Sequence, residues 1–186
     1  THWEYYFTMP SEDVTITFEE KDGMLVDQNN WDAGTAWVNY GGNDAFYFGA
    51  LNRDKFSISS VKHLPIYKFD SLAELNQFKA TFADVFSFNE SYDEIQSFET
   101  AIQKFDDSFF AEYSLFVVYV SSNSGSLRFG VNSVYNDGDN FCVYIEQLNN
   151  PENVSDDMAG WFILLPQQKI LIEGCESFDA QMGKAE

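Results

Sequence analysis

The chain has 186 residues, of which 45% are hydrophobic and 18% aromatic, and its formal net charge is −20. The length predicts one domain or two small ones, and the aromatic content excludes a disordered chain in spite of the high charge. With 30 acidic against 10 basic residues, binding to nucleic acid or to anionic membrane surfaces is disfavoured, because both of these partners are negatively charged.

The first third of the chain predicts short strands. Apolar and polar residues alternate repeatedly over residues 12–61, which predicts an antiparallel β-meander. Asp22-Gly23 is a favoured hairpin turn, and a second hairpin is predicted around residues 41–44. Pro65 then predicts that residues 64–69 form an edge strand or an extended linker, because proline cannot donate to a central ladder.

Two helices are predicted in the middle of the chain. Ser71 and Glu74 match a capping box, in which each side chain satisfies an exposed amide at the start of a helix. Apolar residues continue from there at helical spacing as far as Phe82. A second helix is predicted over residues 92–105, because Ile95 begins another apolar series with the same spacing.

Strands are predicted again in the last part of the chain. Residues 115–120 form a continuous apolar run, which is typical of a central strand covered on both faces. Further strands are predicted over residues 127–135, 141–145, 161–165 (ended by Pro166) and 169–172, with a turn at Asn136–Asn140. Together these strands predict a mostly antiparallel C-terminal sheet.

The predicted fold class is therefore α+β, with an N-terminal antiparallel β-meander, two central helices and a mostly antiparallel C-terminal β-sheet. Residues 1–62 form the β-rich N-terminal part, and residues 63–186 form the α+β C-terminal part. Residues 53–79 hold half of the basic residues and lie between two acidic segments. This charge pattern favours packing of the two parts against each other as one compact unit, although two separate units also fit.

The sequence shows no recognisable catalytic constellation. Ser124-Gly125-Ser126 lacks the flanking glycines of a nucleophile elbow, and His2 and His63 are too far apart for a paired zinc motif. Asn136–Asn140 fails the EF-hand spacing, since the positions that need Gly and Glu hold other residues. We therefore predict no catalytic residue, no metal and no cofactor. No apolar run approaches the roughly 20 residues that span a bilayer, so no transmembrane segment is predicted either.

Four residues are candidates for binding. Trp31, Trp37 and Tyr47 fall in the predicted meander, where exposed aromatic rings stack on sugars or peptides; burial in the core is the preferred alternative for Trp37. Arg128 is one of two arginines, and its planar fork suits a carboxylate ligand. An internal salt bridge is the alternative role for Arg128.

The two cysteines, Cys142 and Cys175, are too far apart for a CxxC motif. A disulfide between them fits an exported protein, and two free buried thiols fit equally well. The chain begins at Thr1 without an initiator Met. This start fits the removal of a secretion or lipoprotein signal, and it equally fits an engineered start.

The C-terminal half resembles uncharacterised exported proteins of gut Firmicutes and the C-terminal domain of the PrcB family, whose members stabilise a cell-surface protease complex. The segments that carry the resemblance are Ser108-Phe109-Phe110, Leu115–Val120, Ser124–Phe129 and Met158–Leu164. In the PrcB domain a strand, a glycine-containing turn, a second strand and a late strand ending in Lys form a small β-domain. The resemblance implies an envelope or secreted location, a binding or stabilising role, and no catalytic residue.

We therefore expect an exported bacterial protein with a non-catalytic role in protein–protein interaction, or in stabilising a complex, at the cell surface. Its partner would be another envelope or secreted protein, and the chain would be secreted or anchored to lipid through a removed N-terminal segment. One alternative is a carbohydrate- or peptide-binding module that uses Trp31. The other is a hydrolase with an unrecognised site, in which carboxylates pair or Cys142 lies near His63.

Overall fold

The computed structural model describes residues 24–25, 34–40, 63–91, 95–156 and 159–183. These residues contain more strand than helix, which confirms the α+β class. The remainder of the predicted meander over residues 12–61, including both of its predicted hairpin turns, lies outside the described residues.

The described strands form two sheets. The strands are β1 (Met24–Leu25), β2 (Gly34–Tyr40), β3 (Ile66–Phe69), β4 (Phe86–Ser87), β5 (Tyr113–Ser122), β6 (Phe129–Asn136), β7 (Asn140–Gln147), β8 (Ala159–Gln168) and β9 (Ser177–Met182). One sheet has the order β3-β5-β8-β2-β4 and is antiparallel throughout, whereas the other has the order β1-β6-β7-β9 and contains one parallel pair, β7 with β9. The helices are α1 (Leu72–Thr81), α2 (Phe98–Ala101) and α3 (Asp107–Glu112), and 3-10 turns cover Ile102–Lys104 and Lys169–Ile172.

The five-stranded sheet is the middle layer of three. Alternate side chains of β5 point to opposite faces: Leu115 and Val117 pack against the helices, whereas Phe116 and Val118 pack against the four-stranded sheet. All four side chains are fully buried. The predicted central strand over residues 115–120 is therefore confirmed, because an apolar run without alternation is what a strand covered on both faces requires.

The start of α1 matches the predicted capping box with one difference. The Ser71 hydroxyl accepts the amide of Glu74 at 3.2 Å. The Glu74 carboxylate accepts the amide of Asp70 at 2.7 Å, one residue earlier than the capping box predicts. On the inner face of α1, Leu75 and Phe78 are buried against the five-stranded sheet.

The segment around Pro65 connects the two sheets. The Leu64 amide donates to the carbonyl of Ala180 in β9 at 2.7 Å, and the Pro65 carbonyl accepts the amide of Tyr119 in β5 at 2.9 Å. The chain then continues as β3, which is an edge strand of the five-stranded sheet. The predicted edge strand is confirmed over Ile66–Phe69.

The predicted turn between β6 and β7 is also confirmed. Asp137 accepts the Asn140 amide at 2.7 Å, and Gly138 has a φ of +96°, a conformation that favours glycine. The turn therefore forms from its own side chains, as the sequence indicates.

The helix predicted over residues 92–105 is confirmed only in its second half, over Phe98–Lys104, where a 3-10 turn continues it from Ile102. The helix begins at Phe98, because the Ser97 side chain caps it by accepting the Thr100 amide at 3.2 Å. Ile95 packs in the core between the two sheets, whereas Phe98 packs in the core beneath the helices. The apolar spacing that predicted one helix thus combines residues from two different cores. A further helix, α3, was not predicted.

Two predictions near the C-terminal end are wrong. β8 continues through Pro166 to Gln168, with Pro166 opposite Leu115 of β5. β8 lies between β5 and β2, but its described pairing with β2 ends at Leu164. In the described residues, Pro166 is therefore paired with β5 alone. Lys169–Ile172 is a 3-10 turn instead of a strand, and β9, which follows it, was missed.

Candidate functional site

A surface cavity of about 560 Å³ lies at the end of the five-stranded sheet where β3 ends and β5 begins. The 3-10 turn that follows β8 closes one of its sides. The residues that line it include Lys68, Asp70, Ser114, Lys169, Ile170 and Glu173. Four of these six side chains are ionisable, and a cavity that contains such groups is a candidate active or binding site.

Asp70 is the centre of the polar contacts in this cavity. Its carboxylate accepts one hydrogen bond from the Ser114 hydroxyl and another from the Lys68 ammonium group, each at 2.5 Å. Burial raises the pKa of Asp70, but these two hydrogen bonds and the charges of Lys68 and Lys169 outweigh it, so the pKa lies below the ordinary value of 3.8. Asp70 is therefore ionised at neutral pH.

Lys169 holds the wall of the cavity together. Its ammonium group donates to the backbone carbonyl of Asp70 at 3.1 Å and to that of Phe110 in α3 at 2.7 Å. The 3-10 turn is thus tied to both the end of β3 and the last turn of a helix, where a positive charge is favourable.

The polar groups of the cavity stabilise one another and are poorly arranged for catalysis. Ser114 is fully buried, and its hydroxyl donates to a carboxylate whose pKa is lowered. A base with a lowered pKa withdraws a proton weakly, so Asp70 does not activate Ser114 as a nucleophile. The arrangement is suited to holding the cavity in one shape.

Two apolar side chains project from the 3-10 turn beside the cavity. Ile170 is 68% exposed and Leu171 is 38% exposed, although their neighbour Ile172 is buried in the core between the sheets. The Leu171 carbonyl accepts a hydrogen bond of 2.6 Å from the Asn136 side chain. The backbone that carries these exposed residues is therefore held at both ends.

His63 and Cys142, the residues of the predicted hydrolase alternative, each lie beside Asp179. His63 lies 2.9 Å and 2.8 Å from the two carboxylate oxygens of Asp179, and Cys142 faces Asp179 across the β7–β9 pair. Burial and the charge of Asp179 raise the pKa of Cys142 to about 11, against a lowering by its hydrogen bond with Tyr144. A nucleophilic cysteine needs a lowered pKa, so this cluster lacks the electrostatics of a cysteine hydrolase.

The two cysteines are free thiols in the structure. In the parallel β7–β9 register, Cys142 lies opposite Asp179, four residues after Cys175. Four extended residues span about 13 Å, whereas the Cα atoms of a disulfide lie within about 7 Å. Cys175 instead donates to the Asn136 side chain at 3.4 Å. A bond between the two would require β9 to leave its register.

Of the four predicted binding residues, the structure describes Arg128 and the backbone of Trp37. The Arg128 guanidinium lies 5.0 Å above the Trp161 ring and donates to the carbonyls of Gly125 and Leu127. The backbone of Trp37 pairs with that of Trp161 across β2 and β8. Trp31 and Tyr47 lie outside the described residues. The binding roles of these residues stay predictions.

Sequence reasoning missed the cavity around Asp70. Ser114 and Lys169 reach Asp70 across separations of 44 and 99 residues, and no local pattern signals contacts at that range. The one local signal was Lys68, two residues before Asp70 on the same segment. Side chains two apart on a strand share a face, so this pair was open to prediction.

No protein-family model matches the sequence, and no curated protein or solved structure is significantly similar to it. In the part of the chain that the structure describes, no three His, Cys, Asp or Glu side chains lie close enough to hold a metal ion. No helix among the described residues is long and apolar enough to cross a membrane.

Proposed function

We propose that this chain is a non-catalytic protein-binding component at the bacterial cell surface. The observation that carries the proposal is the anchored turn beside the cavity, which exposes Ile170 and Leu171 to solvent. A turn tied by Lys169 and Asn136 cannot easily fold these side chains inward. Exposed apolar groups on a rigid backbone are a feature of protein interfaces, because little ordering remains to be done on binding.

The electrostatics of the described residues favour binding over chemistry. In the cavity, the lowered pKa of Asp70 makes it a weak base, and the raised pKa of Cys142, about 11, makes its thiolate even scarcer at neutral pH than that of an ordinary cysteine. The resemblance to the PrcB C-terminal domain adds the expectation that the bound protein belongs to an envelope or secreted complex that this chain stabilises.

The proposal is tested by affinity capture from an extract of bacterial envelopes. The chain is immobilised on beads, and a parallel matrix carries an unrelated globular protein of similar size and net charge. We expect a distinct protein to be retained by the chain and not by the control. Retention of the same proteins on both matrices would show that the interaction is mere ion exchange and would contradict the proposal.

A further inference from the structure

We propose that Ile170 and Leu171, together with the exposed carboxylates around them, form a docking surface for a partner protein whose contacting face is basic and surrounds an apolar recess. The carboxylates are those of Asp137, Asp139, Glu173 and Glu176. We call these six residues the Ile170 surface. The inference rests on the proposed function and adds to it both the location of the contact and the chemistry of the partner.

The apolar centre of the Ile170 surface is rigid before any partner arrives. Lys169 ties the beginning of the turn to the carbonyls of Asp70 and Phe110, and Asn136 binds the Leu171 carbonyl at 2.6 Å. Buried Ile172 fixes the end of the turn in the core. Because the backbone is already ordered, docking of the exposed side chains costs little conformational entropy.

The acidic rim is held next to this centre by backbone contacts between two loops. The amides of Glu176 and Ser177 donate to the carbonyl of Asp139 at 2.8 Å and 3.1 Å, so the β6–β7 turn lies against the segment that follows Ile172. Burial raises the pKa of Cys175 against its hydrogen bond with Asn136, and the charges of Asp137 and Asp139 raise it further, whereas that of Lys68 lowers it.

The nearest basic groups are committed to the cavity. Lys68 pairs with Asp70 at 2.5 Å, and Lys169 donates to two backbone carbonyls. Hydrogen bonds to neutral carbonyls leave the charge of Lys169 in place, but four carboxylates outnumber this one ammonium group. The rim therefore keeps an excess of negative charge, which attracts a basic protein face.

The same charge argues against other occupants of the Ile170 surface. A second copy of the chain would bring another net charge of −20, and anionic lipid or nucleic acid would also be repelled. A basic protein would be attracted by the carboxylates of the rim. Its apolar recess would remove the side chain of Ile170, which is 68% exposed, from water. Charge complementarity thus selects the partner class.

The test uses a phage-displayed library of random peptides, selected on the immobilised full chain. Binding of the selected peptides is then measured to the wild type, to I170S/L171S, and to D139N/E173Q/E176Q. The last variant spares Asp137, whose carboxylate accepts the Asn140 amide in the turn. The matched control is L148S/V154S, because Leu148 and Val154 are also exposed, at 59% and 57%, but lie outside the Ile170 surface.

We expect the selected peptides to carry a net positive charge and at least one large apolar residue. Their affinity should fall roughly tenfold or more in I170S/L171S, because one buried aliphatic side chain is worth about that factor, and should be unchanged in L148S/V154S. The amide variant should bind more weakly than the wild type, and binding should weaken as NaCl rises from about 50 to about 500 mM. Unfolding in urea verifies that each variant is folded.

Three outcomes would overturn the inference: peptides that bind I170S/L171S as well as the wild type, peptides without net positive charge, or no selected peptide at all. If affinity capture still retains a distinct protein from envelopes while I170S/L171S binds it normally, the proposed function stands and the Ile170 surface is the wrong contact. If nothing distinct is captured, the proposed function fails first.

Discussion

At one end of the β5–β8 pair three serine hydroxyls are joined by neutral hydrogen bonds beside the Arg128 guanidinium, which donates to backbone carbonyls, whereas at the other end the hydrogen-bonded side chains include the ionised carboxylate of Asp70. Near the end of β5, the Ser155 hydroxyl lies 2.9 Å from those of both Ser124 and Ser126. Near its beginning, Asp70 and Lys169 provide charges instead. Charged hydrogen bonds are the stronger class, and those of Asp70 and Lys169 lie beside the turn that exposes Ile170.

The two ends should therefore differ in how their contributions to stability depend on pH. Neutral hydroxyl contacts do not change with pH, whereas a carboxylate that is paired in the folded state does. Both ends also expose apolar residues, but the turn at the ionised end is anchored from two sides. Substitutions at the two ends should therefore differ in the size of the stability loss and in its dependence on pH.

The largest effect is expected for Lys169→Met. The change removes two charged hydrogen bonds, to the carbonyls of Asp70 and Phe110, at about 1.5 kcal/mol or more each. We expect the free energy of unfolding to fall by about 3 kcal/mol, measured by urea denaturation. Lys79→Met is the control, because the Lys79–Glu99 ion pair should contribute less than about 1 kcal/mol. Equal losses in the two variants would contradict an anchoring role for Lys169.

A smaller loss is expected for Ser155→Ala at the neutral end. The variant removes the contacts to the Ser124 and Ser126 hydroxyls and the bond accepted from the Ser126 amide at 3.2 Å. We expect a loss of about 1 to 2 kcal/mol that is the same at every pH. Ser177→Ala, at an exposed position, should change stability by less than about 0.5 kcal/mol. A loss that varies with pH would show that the two ends are not different in the way described.

The stability loss caused by Asp70→Asn should depend on pH, unlike that of Ser155→Ala, and it should be smaller. The folded-state pKa of Asp70 lies below 3.8, so its charge stabilises the fold above that pH, and the contribution disappears as the pH falls through the lowered value. The half-exposed ion pair should be worth less than about 1 kcal/mol at neutral pH. We expect the stability difference from the wild type to shrink on acidification below about pH 4. A difference that grows there would reverse the assigned sign.

The smallest effect on stability is expected for Ile170→Ser. At 68% exposure the side chain contributes little to the core, so thermal denaturation should reveal a change of less than about 0.5 kcal/mol. Leu148→Ser at the other end should behave alike. A large loss for Ile170→Ser would show that its apolarity serves folding, and would remove the reason for assigning it to binding.

The sequence predicted correctly those elements whose conformation depends on residues close together in the chain. The continuous apolar run of β5, the Ser71 cap and the Asn136–Asn140 turn each contain their own cause within a few residues. The helix predicted over residues 92–105 was placed too early in the chain because Ile95 and Phe98 belong to different cores, which helical spacing cannot reveal. β9 was missed because its parallel pairing with β7 is a long-range contact without a local signature.

The same physical limit applies to the site. Lys68 and Asp70 are close in sequence, but Ser114 and Lys169 join them only through the sheet. The exposure of Ile170 is also a tertiary property, since the apolar sequence around it predicted a strand. The amino-acid composition indicated directly that the site is acidic. This acidity disfavours nucleic acid and anionic membranes as partners.

The segment around Pro65 has a consequence for how the molecule comes apart. Leu64 is bonded to β9 of one sheet and Pro65 to β5 of the other, so a single stretch of backbone fastens both layers. Separation of the two sheets at this segment therefore breaks at least one of these two hydrogen bonds, which couples the order of the two layers there. We therefore expect a cut in this segment to weaken the attachment of both described layers at once.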